Sequence, residues 1–273
     1  MAHSEPKFTL YTVGTPNGIT PKLISLYANQ SSLLKLEASA ALEELGLPYK
    51  VYKIDFSKNE QKEEWFLKIN PNGRIPALVD HSAPGGDFSV FESGAILQYL
   101  ADNYDPDNKL LPADPLKRSV AIQWLYFQMG GIGPMQGQAS HFHRFATEKI
   151  EYAIKRYHDE TRRLYTVLER GLVGKPWLAG DDFTVADIAN ASWVLFHTFA
   201  GVSVDGLPNL QRWMAEVKER PSFKRGANVP DPSPIYKPPP TEEEAEKTAA
   251  EARAWVLNSN KKEAVDDKKN DKL

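Results

Sequence analysis

The sequence predicts an α/β unit followed by an all-helical one. Short strands alternate with helical stretches over about the first 100 residues. An Asp- and Pro-rich segment at 104–115 then interrupts the pattern, as a linker would, and from Pro115 to about Arg220 only helical periodicity remains. With 273 residues, 41% of them hydrophobic and 25% charged, the chain is long enough to bury a core in each part.

Taken in order, Lys7 to Val13 reads as a strand, broken by the turn formers Thr15-Pro16-Asn17-Gly18. Ala38 to Leu45 reads as the end of a helix stopped by Gly46 and Pro48. Tyr49 to Ile54 alternates as a strand, Trp65 to Ile69 suits a short helix, and Ile75 to Val79 and Phe88 to Phe91 are strands joined across a Pro-Gly-Gly turn. Ser93 to Asn103 is an apolar-periodic helix. Further helices are expected over Lys117 to Met129, Thr147 to Arg170, Val185 to Thr198 and Pro208 to Arg220. The expected divisions are therefore 1–104, 115–225 and a charged, Pro-rich tail at 226–273. The tail should be loosely attached, with a capping box at Thr241 and Glu244 and disorder from about Lys261.

Composition narrows the function. The net charge of −3 argues against a nucleic-acid binder, and the absence of cysteine excludes disulfides, thiolate metal sites and any enzyme using its own thiol. No run of 18 apolar residues and no basic region leading into an apolar stretch occurs, so neither a membrane span nor a secretory signal is expected. Phosphate-loop, dinucleotide, zinc-protease and serine-hydrolase motifs are missing from the sequence. His141 and His143 lack an evident third ligand, so packing or a pocket wall is expected of them and no metal.

Three short motifs can carry chemistry, and a fourth is structural. In Arg74-Ile75-Pro76-Ala77-Leu78, a proline just before a strand leaves the preceding N–H and C=O free to meet a ligand backbone. Glu92-Ser93-Gly94 lies between a strand and a helix, where Ser can cap the helix or free N–H groups can receive a carboxylate. Thr15 and Asn17 can donate hydrogen bonds to a thiolate, although read alone this stretch is a turn. Thr184-Val185-Ala186-Asp187, flanked by Phe183 and Ile188, reads as a structural capping box with a hydrophobic staple.

Together these motifs resemble the glutathione transferase superfamily. NPNGRIPALVDH, FESGAILQYLADNY and FTVADIA occur in that family's order and spacing, over about residues 7–225 with 19–34 omitted. TPNG, WLYFQMGGIGPMQGQ and YAIKRYHDETRRLYTVLE are similar to the nu class and to fungal nitrogen-regulator-like members. The resemblance implies a thioredoxin-like N-terminal domain, a helical C-terminal domain, a homodimer and a cytoplasmic location. It implies glutathione as cosubstrate, with Thr15 and Asn17 facing its sulfur and Gln61 holding the glycyl end. Ile75, before a cis-Pro76, would pair with the cysteinyl backbone, Glu92 and Ser93 would bind the γ-glutamyl group, and Arg156 would also contact glutathione. Tyr99, Trp124, Phe127 and the Arg156 helix would supply the dimer surface.

With no cysteine in the chain, the attacking sulfur must arrive with glutathione or another bound thiol. The expected activity is reduction of a disulfide or peroxide, or detoxifying conjugation of a small electrophile. Because a Thr/Asn pair activates a thiol gently, reduction is favoured. The alternative is a glutathione-binding regulatory protein with little catalysis. The sequence departs from the family at residues 19–34, whose apolar residues Leu23, Ile24, Leu26 and Tyr27 suggest a short extra helix behind Thr15 and Asn17.

Overall fold

A computed structural model describes residues 6–13 and 36–236, with positions 241, 243, 244, 246 and 250 beyond them. The expected insertion at 19–34, the turn bearing Thr15 and Asn17, and the end of the tail lie outside the described residues.

Four strands, β1 (Phe8–Val13), β2 (Tyr49–Ile54), β3 (Ala77–Asp80) and β4 (Phe88–Phe91), form one sheet in the order β2-β1-β3-β4. β2 runs parallel to β1, with Phe8 opposite Tyr49, whereas β3 is antiparallel to both β1 and β4. A parallel pair needs a crossover, and the chain between β1 and β2 includes a helix over 36–44, α1. A short α2 (Glu64–Leu67) precedes β3, and α3 (Ser93–Tyr104) follows β4. Alternate residues on β1 serve two cores. Phe8 and Leu10 join the large cluster with α1 and α3, while Val13 joins a smaller one with Ile54, Phe66 and Ile75. This is the thioredoxin-like arrangement the resemblance implied.

From Pro115 onward, the described residues form helices: α4 (Pro115–Phe127), α5 (Gly133–Ser140), α6 (Glu151–Gly171), α7 (Val185–Val194), α8 (Pro208–Glu219) and α9 (Pro221–Ala227). α4 starts two residues earlier than expected because Asp114 accepts from Leu116 and Lys117 N–H at 3.0 and 2.9 Å, with Pro115 in the first turn. It gives way at Gln128–Ile132 to a π-helical turn containing Gly130 and Gly131. α8 stops at Glu219 because Pro221 holds Arg220 extended, and α9 begins there as a helix of its own.

The expected capping box forms at α7. Thr184 Oγ1 accepts from Ala186 N–H at 3.3 Å, and Asp187 accepts from Thr184 N–H at 3.0 Å. The linker is less solvated than its composition suggests. Leu110 and Leu111 are buried, and Leu110 C=O accepts from Val185 N–H at 3.0 Å. The start of the tail is also packed rather than loose. Asp231 pairs with Lys53 at 3.0 Å, Ile235 joins the main core, and Tyr236 donates to Lys218 C=O at 2.9 Å. Thr241 and Glu244 form the reciprocal capping bonds expected of them.

Candidate functional site

The site is built at one end of the sheet. The register sets Tyr11 opposite Ala77 and Ala77 opposite Phe91. The exit of β1, the entry to β3 and the exit of β4 therefore lie side by side. Ile75 and Pro76 precede Ala77, Glu92 and Ser93 follow Phe91, and β1 ends here at Val13.

Ile75–Pro76 is a cis peptide, and both residues are buried. The turn before it is held by buried Asn70, which donates to Arg74 C=O at 2.7 Å and accepts from Asn72 N–H at 3.0 Å. Gly73 adopts a φ of 60°, and a Cβ there would stand 2.8 Å from Gln61 C=O. Gln61 thus abuts the turn leading into Pro76. Its Nε2 donates to Asn59 at 2.7 Å, while its buried Oε1 has no partner among the described residues.

Glu92 is exposed and sits at φ 67° and ψ 122°, a conformation unfavourable for a residue with a Cβ. Such strain persists where the surroundings impose it and points to a functional position. The next residue, Ser93, opens α3, so the first N–H groups of the helix are free for an anion. Ser93 is 3% exposed, its Oγ lies 3.9 Å from Met129 Sδ, and a Cβ on Gly94 would approach the same methionine to 3.0 Å. The π-helical turn thereby brings the helical part against the start of α3.

Arg156 is carried by the helical part and not by the sheet. It is exposed on α6 beside Tyr152, Lys155, Asp159, Glu160 and Arg163, and α6 packs on α5, α8 and the π-helical turns. Tyr99, Trp124 and Phe127, expected at a dimer surface, are partly buried against the chain's own core. The ring of His143 packs edge-on against His158 at 5.1 Å.

Sequence reasoning missed Glu37. This residue of α1 is fully buried, and Ser192 of α7 donates to its Oε1 at 3.0 Å. Burial pushes its carboxyl up to about 8, reinforced by the charge of Glu92 and opposed by Ser93, Ser192 and Trp193. A signal was present. The run Ala38-Ser39-Ala40-Ala41 marks a helix packed closely on all sides, which leaves a neighbouring charge no route to solvent.

The comparisons agree with this fold. Residues 23–102 match the family model described as glutathione S-transferase, N-terminal domain, and residues 134–221 match the corresponding C-terminal domain. The chain is 41% identical over 215 residues to disulfide-bond oxidoreductase YfcG of Escherichia coli (strain K12), covering 78% of this chain and 91% of that protein. It is 32% identical over 234 residues to Protein URE2 of Candida glabrata, covering 72% of this chain and 65% of that one. A crystal structure of a glutathione transferase homolog from Lodderomyces elongisporus, with two GSH per subunit, superposes with a TM-score of 0.71 at 37% identity, covering 83% of this chain and all of that one. Matched in both halves and over most of the length of such relatives, the chain belongs to the glutathione S-transferase family.

Proposed function

We propose that this protein is a glutathione-dependent disulfide oxidoreductase of the nu-class or fungal nitrogen-regulator-like subgroup, active in the cytoplasm as a homodimer. The observation that carries the reading is the meeting of buried cis Ile75–Pro76 with the strained Glu92 and the open start of α3 at one end of the sheet. Glu92 would pair with the γ-glutamyl ammonium, and Ser93 with the N–H groups behind it would receive the γ-glutamyl carboxylate. The Ile75 backbone would pair with the cysteinyl residue, and Gln61 would hold the glycyl end. Thr15 and Asn17 would face the sulfur, and Arg156 would reach glutathione from α6.

The chemistry is thiol–disulfide exchange. A glutathione thiolate attacks one sulfur of the substrate disulfide, the S–S bond breaks, and the leaving thiolate takes a proton. A second glutathione thiolate attacks the mixed disulfide, giving glutathione disulfide and releasing the second substrate thiol. A chain without cysteine takes no covalent part, so its contribution is to bind and orient the thiol and to lower its pKa by hydrogen-bond donation. The 41% identity to a disulfide-bond oxidoreductase and the two GSH in the Lodderomyces elongisporus structure support this scheme.

The similarity to URE2 favours a second reading, a glutathione-binding regulator. Glutathione-dependent reduction of a small disulfide, followed by coupling product glutathione disulfide to its reductase, separates the two. Turnover well above the uncatalysed rate is expected of the enzyme, whereas tight glutathione binding without turnover favours the regulator. Light scattering tests the dimer, and a monomer at micromolar concentration rejects it.

A further inference from the structure

At the end of the sheet opposite Pro76 and Glu92, the side chains of Thr9, His81 and Asp87 form a hydrogen-bonded chain. The register places Thr9 opposite Val79, so His81, two residues further on, leaves the sheet on the same face. Asp80 stands opposite Phe88, and the turn between them, closed by Gly86 N–H donating to Ala83 C=O at 3.1 Å, returns Asp87 to face His81. His81 Nδ1 lies 2.9 Å from Asp87 Oδ1, and His81 Nε2 lies 2.8 Å from Thr9 Oγ1. A carboxylate only accepts, so the proton of a neutral imidazole here sits on Nδ1, and Nε2 is left to accept from the threonine hydroxyl. Hydroxyl, imidazole and carboxylate thus stand in the order by which a base activates an oxygen nucleophile. His81 N–H also donates to Lys7 C=O at 2.8 Å, so the side-chain relay is additional to the backbone pairing that holds these strands.

The same face supplies further parts. Lys50 is the β2 partner of Thr9, so its exposed side chain leaves the sheet beside the hydroxyl. Tyr11 follows Thr9 by two residues on that face, and its ring centroid lies 5.3 Å from that of Tyr52 and 6.1 Å from that of Trp65. Thr9 is half-buried, while His81, Asp87 and Tyr52 are exposed, so the group is open to a ligand. The other face of β1, carrying Phe8 and Leu10, is the one packed against α1 and α3.

We propose that this face is a further catalytic site, which hydrolyses small aryl esters through an acyl-threonine. It is independent of the glutathione seat and of the reading built on it. Thr9 Oγ1 attacks the ester carbonyl carbon as its proton passes to His81 Nε2. A C–O bond forms, and the carbonyl oxygen becomes an oxyanion facing the Lys50 ammonium. Collapse breaks the bond to the aryl oxygen, which leaves with the proton from His81. Water then attacks the acyl-Thr9 ester and gives a proton to His81. The second collapse returns that proton to Thr9 and releases the carboxylic acid. Asp87 is a positioning residue that holds the imidazole in the required tautomer and orientation. Tyr11 and Tyr52 offer the aryl ring of the substrate a surface to stack on.

The test uses the full chain, with p-nitrophenyl acetate as substrate and an alkyl fluorophosphonate as trap, in which the nucleophilic oxygen displaces fluoride from phosphorus. The expected result is turnover above the uncatalysed rate, with a phosphonyl adduct mapped to Thr9 by peptide mass spectrometry. The trap reads the native chain alone, so it decides the matter even where a variant fails to fold. Thr9→Val keeps the branched shape that suits a strand and should lower the rate about a hundredfold, as should His81→Gln. Thr9→Ser should remain active. Lys50→Gln should cost about tenfold, less than a buried donor would because solvent screens the charge. Asp87→Asn should also cost about tenfold, with part of the loss recovered in Asp87→Glu, which a merely structural role would not give. An adduct that maps elsewhere overturns the proposal, as does a native rate in Thr9→Val. Loss in His81→Gln with full activity in Thr9→Val overturns it too, because the imidazole would then act without the threonine. Absence of both turnover and adduct in the native chain overturns it outright.

Discussion

Asp187 and Glu37 are both fully buried carboxyls, and both serve α7, yet their surroundings differ in kind. Asp187 accepts from Leu178 N–H at 3.0 Å, Thr184 N–H at 3.0 Å and Trp213 Nε1–H at 2.8 Å, with Thr184 Oγ1 at 3.4 Å. Burial still raises it to about 6, but the donors surrounding it hold the rise there. Glu37 has one close donor, and burial carries it to about 8. The saturated acid ties helix α7 to α8 and to the loop at Leu178, which is structural work. The undersaturated one joins α1 to α7 through Ser192 alone and keeps a buried oxygen with no partner among the described residues.

The largest effect should come from breaking the saturated site. Asp187→Ala strands two backbone N–H groups and the Trp213 indole N–H in the core, so urea unfolding should show a loss of about 3–4 kcal/mol. A loss below about 1 kcal/mol would mean that the donors find other partners, and the contrast with Glu37 would fade.

Next in size is a pH effect on stability. Glu37 has a folded-state value raised above its unfolded value of 4.5, so its stabilising contribution is complete below 4.5 and is lost as pH rises toward about 8. Asp187 contributes in the same sense only up to about 6. Burial lowers His158 and His197, so they cost stability only as pH falls below 6.5. The interval from 6.5 to 8 therefore isolates Glu37. Unfolding free energy should fall across it by roughly 2 kcal/mol in the native chain and stay level in Glu37→Gln. Equal slopes in the two chains would remove the distinction between the acids.

The smallest effect sharpens the structural side. Thr184→Ala removes the side-chain half of the cap and leaves Asp187 its other donors, so a cost of about 1 kcal/mol is expected from thermal unfolding. A cost as large as that of Asp187→Ala would place the energy in the cap rather than in the carboxyl.

What could be read from the sequence divides along similar lines. Tyr49–Ile54 and Phe88–Phe91 are strands in the structure with the ends their alternation gives, and the Thr184 box forms as its spacing requires. All three signals lie within a few residues of the feature they describe. Pro76 and the Glu92-Ser93 pair were legible for the same reason, since a proline before a strand and a serine at a strand-to-helix junction are local marks. The end of α4 at Phe127 was missed because a π-helical turn keeps the apolar periodicity that a continuous helix would have. The packed stretch at 228–236 was missed because its Pro- and Asp-rich composition suits a linker, while its anchors lie on Lys53 and Lys218. Glu37 meets Ser192 across 155 positions of sequence, and no local pattern encodes that contact. The strained backbone of Glu92 was equally hidden, because a non-glycine residue with positive φ is imposed by its surroundings.

The central claim is that glutathione is seated at Glu92 and the start of α3. Isothermal titration of Glu92→Ala with glutathione, alongside the native chain, tests it most directly. The account predicts a loss of affinity of about tenfold to a hundredfold, the size of one charge-assisted hydrogen bond, with thermal unfolding little changed because the side chain is exposed. Unchanged affinity would contradict the account and mean that the γ-glutamyl group binds elsewhere.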